Sequence, residues 1–204
     1  METLEGYISA LASSQPAPGG GSAATVVAAL AAALVAMVAR ITAANPAYAG
    51  RAERAESLVV QSDRLRAQLL LARTRDEAAY LAVVAAQARP RATPLEKAAR
   101  SSAIQDALAL AASEPLGAAG LAYDAMRLTS QALELENRHL ASDLGCAAEF
   151  AAAALAASAY NVRVNHAYLR DLDTVRAQEL QLAQLEARAA TELAAIRQAL
   201  RPAP

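Results

Sequence analysis

Along the chain, apolar residues recur at spacings of three and four, the mark of helices with one buried face, and Pro and Gly break the pattern at a few sharp points. A short helix is predicted over residues 2–12. It is closed by Ser13 and Ser14 and followed by Gln15-Pro16-Ala17-Pro18-Gly19-Gly20-Gly21, which no helix tolerates. A second helix is predicted from Ser22 to residue 44, where Asn45-Pro46 stops it. Beyond Gly50 a charged amphipathic segment extends from Arg51 to about Gln87, with a candidate interruption near Arg73 to Arg75.

Arg89 to Pro94 reads as a loop, and Thr93-Pro94-Leu95-Glu96 as a helix start: Thr caps, Pro sits in the first turn and Glu follows three residues after the cap. That helix is expected to reach Ser113, with Pro115 opening another to about Leu135. The longest is expected from about His139 to about Tyr168. A last one, carrying Leu172, Val175, Leu182, Leu185, Leu193 and Ile196, ends before Pro202. The pattern predicts an all-α, single-domain bundle over residues 1–204, built from about seven mostly long antiparallel helices.

Composition strengthens the helical reading. Of 204 residues, 59 are alanine, and the chain is 55% hydrophobic but only 3% aromatic. Alanine is the best helix former, and no window alternates β-branched or aromatic residues as a strand does, so all-β and α/β folds are excluded. An alanine core lets helix axes approach closely but buries little area per residue, so a homodimer is expected to supply part of the stability. The apolar run Ala23 to Ala39 is short and weakly hydrophobic for a span and reads as a buried core helix. No basic segment opens the chain, so no signal peptide is expected, and the single Cys146 suits a reducing compartment; the expectation is cytoplasmic. With 19 basic and 20 acidic residues there is no electrostatic case for nucleic acid or an anionic membrane.

Three groups of residues stand out as candidate chemistry. The first is Pro16-Ala17-Pro18-Gly19-Gly20-Gly21-Ser22-Ala23-Ala24, where three glycines before a long helix let backbone N–H groups turn toward an anion at the positive helix end; a linker capped by Ser22 is the alternative. No Lys follows the glycines and no strand precedes them, so neither nucleotide-binding glycine motif fits. The second is Asn137, Ser142 and Asp143 with Asn161 and Asn165, polar groups on an apolar helix that either line a pocket or cap and face solvent. The third is Asp76 and Glu77 beside the apolar run Ala78 to Ala86, placed as first-turn acids of a helix starting after Arg75 unless they line a site. His139 and His166 stand 27 residues apart with no partner at metal-ligand spacing; both are expected on the surface, and no metal site is expected.

In order along the chain, these segments resemble the cyclodeaminase/cyclohydrolase family of folate enzymes. The resemblance rests on Leu11 to Ala24 with its triple glycine, Ala32-Ala33-Leu34-Val35-Ala36-Met37-Val38, Asp76 to Tyr80, Thr93 to Lys97, Pro115-Leu116, Asn137, Ser142-Asp143, and Tyr160-Asn161-Val162-Arg163-Val164-Asn165. It implies an all-helical homodimer acting on the one-carbon bridge of tetrahydrofolate with neither metal nor cofactor. Asp76 is implied as the catalytic proton donor, a role that needs its pKa raised either by an apolar setting, which alanine-rich walls would supply, or by a neighbouring carboxylate such as Asp143. Pro18, Gly19, Gly20, Gly21, Ser22, Asn137, Ser142, Asp143 and Asn161 are implied to line the folate cleft. The chain departs from the family where Glu77 and Ala78 stand in place of a glutamate two residues after the aspartate. Ala43 to Tyr48 replaces a lysine-rich loop suited to a polyglutamate tail, Ala92 replaces an asparagine, and Glu136 stands where glycine precedes Asn137.

Two reactions fit the resemblance: hydrolysis of 5,10-methenyltetrahydrofolate to 10-formyltetrahydrofolate, and closure of 5-formiminotetrahydrofolate to the methenyl compound with release of ammonia. The missing formiminotransferase segment favours the first. A non-catalytic helical interaction module, using Gly19 to Gly21 as a hinge, is the reading of another class.

Overall fold

The computed structural model describes residues 3–201 and shows six α-helices with no strand among them. They are α1 (Leu4–Leu11), α2 (Gly20–Ala43), α3 (Ala52–Gln87), α4 (Pro94–Leu133), α5 (Ala141–His166) and α6 (Leu172–Ala199), with 3₁₀ turns at Pro46–Arg51 and Arg138–Leu140. Glu2 and Pro202, where the pattern set the two ends of the helical region, lie outside the described residues.

Six helices replace the seven expected because the break at Pro115 does not occur; the candidate interruption of the third helix is absent as well. α3 runs unbroken through Arg73 to Arg75, and α4 continues through Pro115, which makes α4, at 40 residues, the longest helix in place of α5. A proline inside a helix withholds the N–H that the carbonyl four residues earlier expects. Here that carbonyl belongs to Ala111, and the Asn165 side chain on α5 donates to it at 2.7 Å. The tertiary contact replaces the lost bond and lets the helix pass a residue that reads locally as a stop.

The caps follow the sequence signals. Thr93 and Glu96 form a reciprocal capping box, with Glu96 N–H donating to Thr93 Oγ1 at 3.2 Å and Thr93 N–H donating to Glu96 Oε2 at 2.8 Å. Asp171 accepts from the N–H groups of Asp173 and Thr174 to start α6. The exception is α2, whose cap position is Gly19 and whose first turn has no capping bond from that residue's side chain.

α2 is the central helix and packs against α3, α4 and α5, while α6 packs on α4 and α5. Its inward residues are small: Ala28, Ala31, Ala32, Val35, Val38 and Ala39 are nearly or fully buried, against Leu58, Leu69 and Met126. Both α2 and the segment Arg138–His166 have the length and apolarity of a membrane span, but α2 is the core of the bundle. A second, smaller cluster of Ala79, Val83, Ala107, Leu108 and Leu169 joins α3, α4 and the turn after α5. His166, expected on the surface, is instead buried between α5 and α6. Its Nδ1 lies 3.2 Å from Glu179 Oε1 and its Nε2 lies 2.7 Å from Gln178 Oε1.

Candidate functional site

The start of α2 opens into a cleft of about 270 Å³ lined by Pro16, Ala17, Gly19 to Gly21, Asp76, Glu77, Tyr80, Ala111, Asn161 and Asn165. Its walls come from the loop before α2, the middle of α3, the Pro115 region of α4 and the last turns of α5. The first turn of α2, whose cap residue Gly19 offers no side chain, borders this space with the positive end of the helix.

Asp76 sits deep inside α3, so it is no first-turn acid of its own helix. It serves that role for another one. Its carboxylate lies against the start of α2 and accepts from the backbone N–H of Ser22. The fit is so close that a Cβ on Gly21 would stand 2.2 Å from Asp76 Oδ1 and 2.6 Å from its Cγ. None of the described glycines has a positive φ. Gly21 is therefore needed for space at a close approach, where the sequence had suggested backbone freedom. Burial pushes the Asp76 carboxyl up to about 6; the nearby carboxylates of Glu77 and Glu114 push the same way, and the Ser22 N–H pulls it back.

Glu77 is held beside it. Ser22 Oγ donates to Glu77 Oε1 at 2.7 Å and lies 2.8 Å from the Tyr7 hydroxyl, which donates to it in turn because the serine proton is already committed. The Arg73 guanidinium approaches Glu77 at 3.9 Å and stacks over the Tyr7 ring at 5.1 Å. α1 is thereby tied to the cleft. Asn161 lies over Gly20, and its Nδ2 donates back to Ala157 O, as that of Asn165 does to Asn161 O and Ala111 O. Among the described residues neither amide oxygen accepts a hydrogen bond, so both remain available to a ligand.

Of the residues singled out in the sequence, Gly19, Gly20, Gly21, Asp76 and Asn161 line this cleft. Ser22 acts behind it through Glu77. Pro18 adjoins the lining without being part of it; the Ala17–Pro18 peptide is cis. Asn137, Ser142 and Asp143 do not reach the cleft of the same chain. Ser142 and Asp143 occupy the first turn of α5 and Asn161 its end, about 28 Å away at 1.5 Å per residue. The carboxylates that flank Asp76 are those of Glu77 and Glu114, in place of Asp143. Asn137 is buried at the opposite end of α2, donating to Thr42 Oγ1 at 3.0 Å and accepting from the Tyr48 hydroxyl at 3.3 Å. Asn165, singled out beside Asn161, also lines the cleft, whereas Tyr80, Tyr7 and Arg73 were missed as site residues. Tyr80 stands four residues from Asp76 and Asn165 four from Asn161, a spacing that marks one helix face. Nothing in the sequence pairs Tyr7 with Ser22.

Known proteins resemble this chain in sequence and in fold. A 36% identical relative, the methenyltetrahydrofolate cyclohydrolase of Methylorubrum extorquens, aligns over 83% of this chain and 82% of its own. The formimidoyltransferase-cyclodeaminase of Mus musculus is 29% identical over 80% of this chain, which spans only 30% of that longer protein. The crystal structure of formiminotetrahydrofolate cyclodeaminase from Thermotoga maritima superposes with a TM-score of 0.86 at 26% identity, covering 97% of this chain and 95% of that one. The family model described as formiminotransferase-cyclodeaminase matches residues 3–184, and the chain belongs to that family of folate one-carbon cyclohydrolases and cyclodeaminases.

Proposed function

We propose that the protein hydrolyses 5,10-methenyltetrahydrofolate to 10-formyltetrahydrofolate, with Asp76 as the proton-transfer group and no metal or other cofactor. The observation that carries the reading is the Asp76 carboxyl, raised to about 6 at the mouth of α2, inside a cleft that also offers the amide oxygens of Asn161 and Asn165. A carboxyl poised near neutrality can act in both halves of the reaction. As carboxylate it takes a proton from the water that adds to the methenyl carbon. As acid it then returns that proton to N5 as the carbon–N5 bond breaks, the carbinol O–H releases its own proton to solvent to become the formyl C=O, and the formyl group stays on N10. The methenyl bridge is cationic, and the Asp76 carboxylate brings the matching sign to this end of the cleft, while Glu77 and Glu114 beside it are paired with Arg73 and Arg75. The Asn161 and Asn165 oxygens are placed to accept from the N–H groups of a pterin ring.

Support for hydrolysis over ammonia release comes from the 36% identical relative, named a cyclohydrolase and matched over more than four-fifths of both chains. The same acid could protonate the departing nitrogen in cyclodeamination, the second reading, favoured by the name of the superposed Thermotoga structure. Loss of methenyl absorbance, run beside ammonia release from 5-formiminotetrahydrofolate, separates them: the first is expected to be fast and the second at background. Ammonia release with a stable methenyl product would reverse the assignment. The family membership displaces the non-catalytic module.

In the same reading the enzyme is a cytoplasmic homodimer. The support is a stripe on α2, where Val27, Leu30, Leu34, Met37 and Ile41 recur at spacings of three and four. Leu30 and Ile41 remain 51% and 45% exposed while the alanines face the core.

A further inference from the structure

The cleft around Asp76 does not end at Asn165. A second cavity of about 480 Å³ continues from it along the groove between α3, α4 and the end of α5, and the two share Tyr80, Asn161 and Asn165 in their walls. This arm is different in character. Val83, Ile104, Leu108 and Val164 give it apolar sides, and Tyr80 and Tyr168 stand at its mouth with 49% and 67% of their surfaces exposed. Two exposed aromatics on one groove are conspicuous in a chain with seven aromatic residues in all.

The far end of the arm carries Arg170. Its position is built: Gln105 on α4 accepts from the Arg170 backbone N–H at 2.8 Å and donates to Tyr168 O at 3.1 Å, while Ser101 accepts from Arg170 Nη1 at 2.8 Å. Arg170 forms no ion pair among the described residues, unlike Arg163 and Arg197, which bind carboxylates through two nitrogens each. The continuous cleft thus carries the Asp76 carboxyl at one end, is apolar and aromatic in the middle, and ends on the Arg170 guanidinium, which no carboxylate among the described residues pairs.

From this gradient we infer that the arm binds a flat aromatic limb ending in a carboxylate, and that Arg170 takes that carboxylate. Resting on the proposed function, this assigns the arm to the aminobenzoyl-glutamate limb of the folate and makes Arg170 a specificity residue for the first glutamate. Guanidinium and carboxylate match in charge and in the spacing of their hydrogen-bonding atoms. The limb's aromatic ring lies between Tyr80 and Tyr168.

The test compares 5,10-methenyltetrahydrofolate with its glutamate-free counterpart, 5,10-methenyltetrahydropteroate, on the wild type and on Arg170→Gln. The wild type is expected to prefer the glutamylated substrate about tenfold in kcat/KM, the size of one charge-assisted hydrogen bond at a solvated rim. Arg170→Gln is expected to raise KM for the glutamylated substrate by the same factor with kcat unchanged, and to leave the glutamate-free substrate unaffected. Arg170→Lys is expected to recover part of the preference. A purely structural role for Arg170 would weaken both substrates alike, and that outcome overturns the inference. So does a wild type that turns over both substrates equally well, which leaves the proposed reaction standing. A wild type active on neither overturns the proposed function and this inference together.

Discussion

The two ends of α2 use the same vocabulary of polar residues to opposite effect. At its C-terminal end, Thr42, Tyr48 and Asn137 satisfy one another in a closed cluster, with Thr42 also donating to Val38 O at 2.8 Å. At its N-terminal end, the first turn of the helix, the Asp76 carboxyl and two asparagine oxygens border a cleft with part of their hydrogen-bonding capacity unspent. A buried polar group that is fully paired rigidifies the scaffold; one left incompletely paired beside open space is poised for a ligand. The lesson is that polarity on an alanine-rich wall does not mark a site until pairing and space are known.

Substitutions at the two ends should separate activity from stability. The largest effect is expected from Asp76→Asn, which removes the proton carrier and should lower kcat by about 10²–10⁴. The same change should make the protein more stable at neutral pH. A carboxyl raised to about 6 favours the folded state fully only below the unfolded value near 4, and that contribution is lost as pH rises through 6. Above pH 6 the variant should therefore exceed the wild type by on the order of 1–2 kcal/mol, discounted for partial exposure, with the gap closing toward pH 4. Thermal unfolding of both proteins across that range measures it. A variant as active as the wild type would remove Asp76 from the chemistry.

Gly21→Ala should come next, with a loss of about 10²-fold in kcat/KM because the new methyl displaces the Asp76 carboxylate from Ser22 N–H. Stability should hold or rise slightly, since alanine favours a helix over glycine by about 1 kcal/mol. Denaturant titration beside kinetics distinguishes this from misfolding. At the other end the pattern should invert. Asn137→Ala takes the acceptor from the Tyr48 hydroxyl and the donor from Thr42 Oγ1, and should cost about 1–3 kcal/mol in unfolding free energy, with kcat of the folded enzyme unchanged. The smallest effect is expected at Glu136, which holds a positive φ of 54°. Glu136→Gly should raise stability by up to about 1 kcal/mol, because an L side chain is strained there and the ion pair it gives up, to Arg51, is exposed.

Glu136 also shows how far sequence reasoning could go. The departure from a family glycine was legible, and its consequence follows once the backbone is known. Asp76 was legible through the resemblance, but its surroundings were not. The partner carboxylates are one residue away on α3 and on α4, whereas Asp143, which sequence order placed nearby, is carried to the other end of a 26-residue helix. Pro115 failed as a stop signal because the donor that satisfies Ala111 comes from Asn165, 54 residues on.

By itself the sequence determined the helical class, five of the six helices to within a few residues at their starts or ends, the cap at Thr93, and the family. Helix propensity, capping and short-range periodicity act over a few residues and leave a direct trace in the chain. The tertiary structure alone decided that α4 runs through a proline, that Gly21 is a matter of room for Asp76, and which polar residues are spent on the scaffold. Those outcomes depend on which helix ends meet, and proximity between residues 54 or more positions apart is set by packing, on which local sequence is silent.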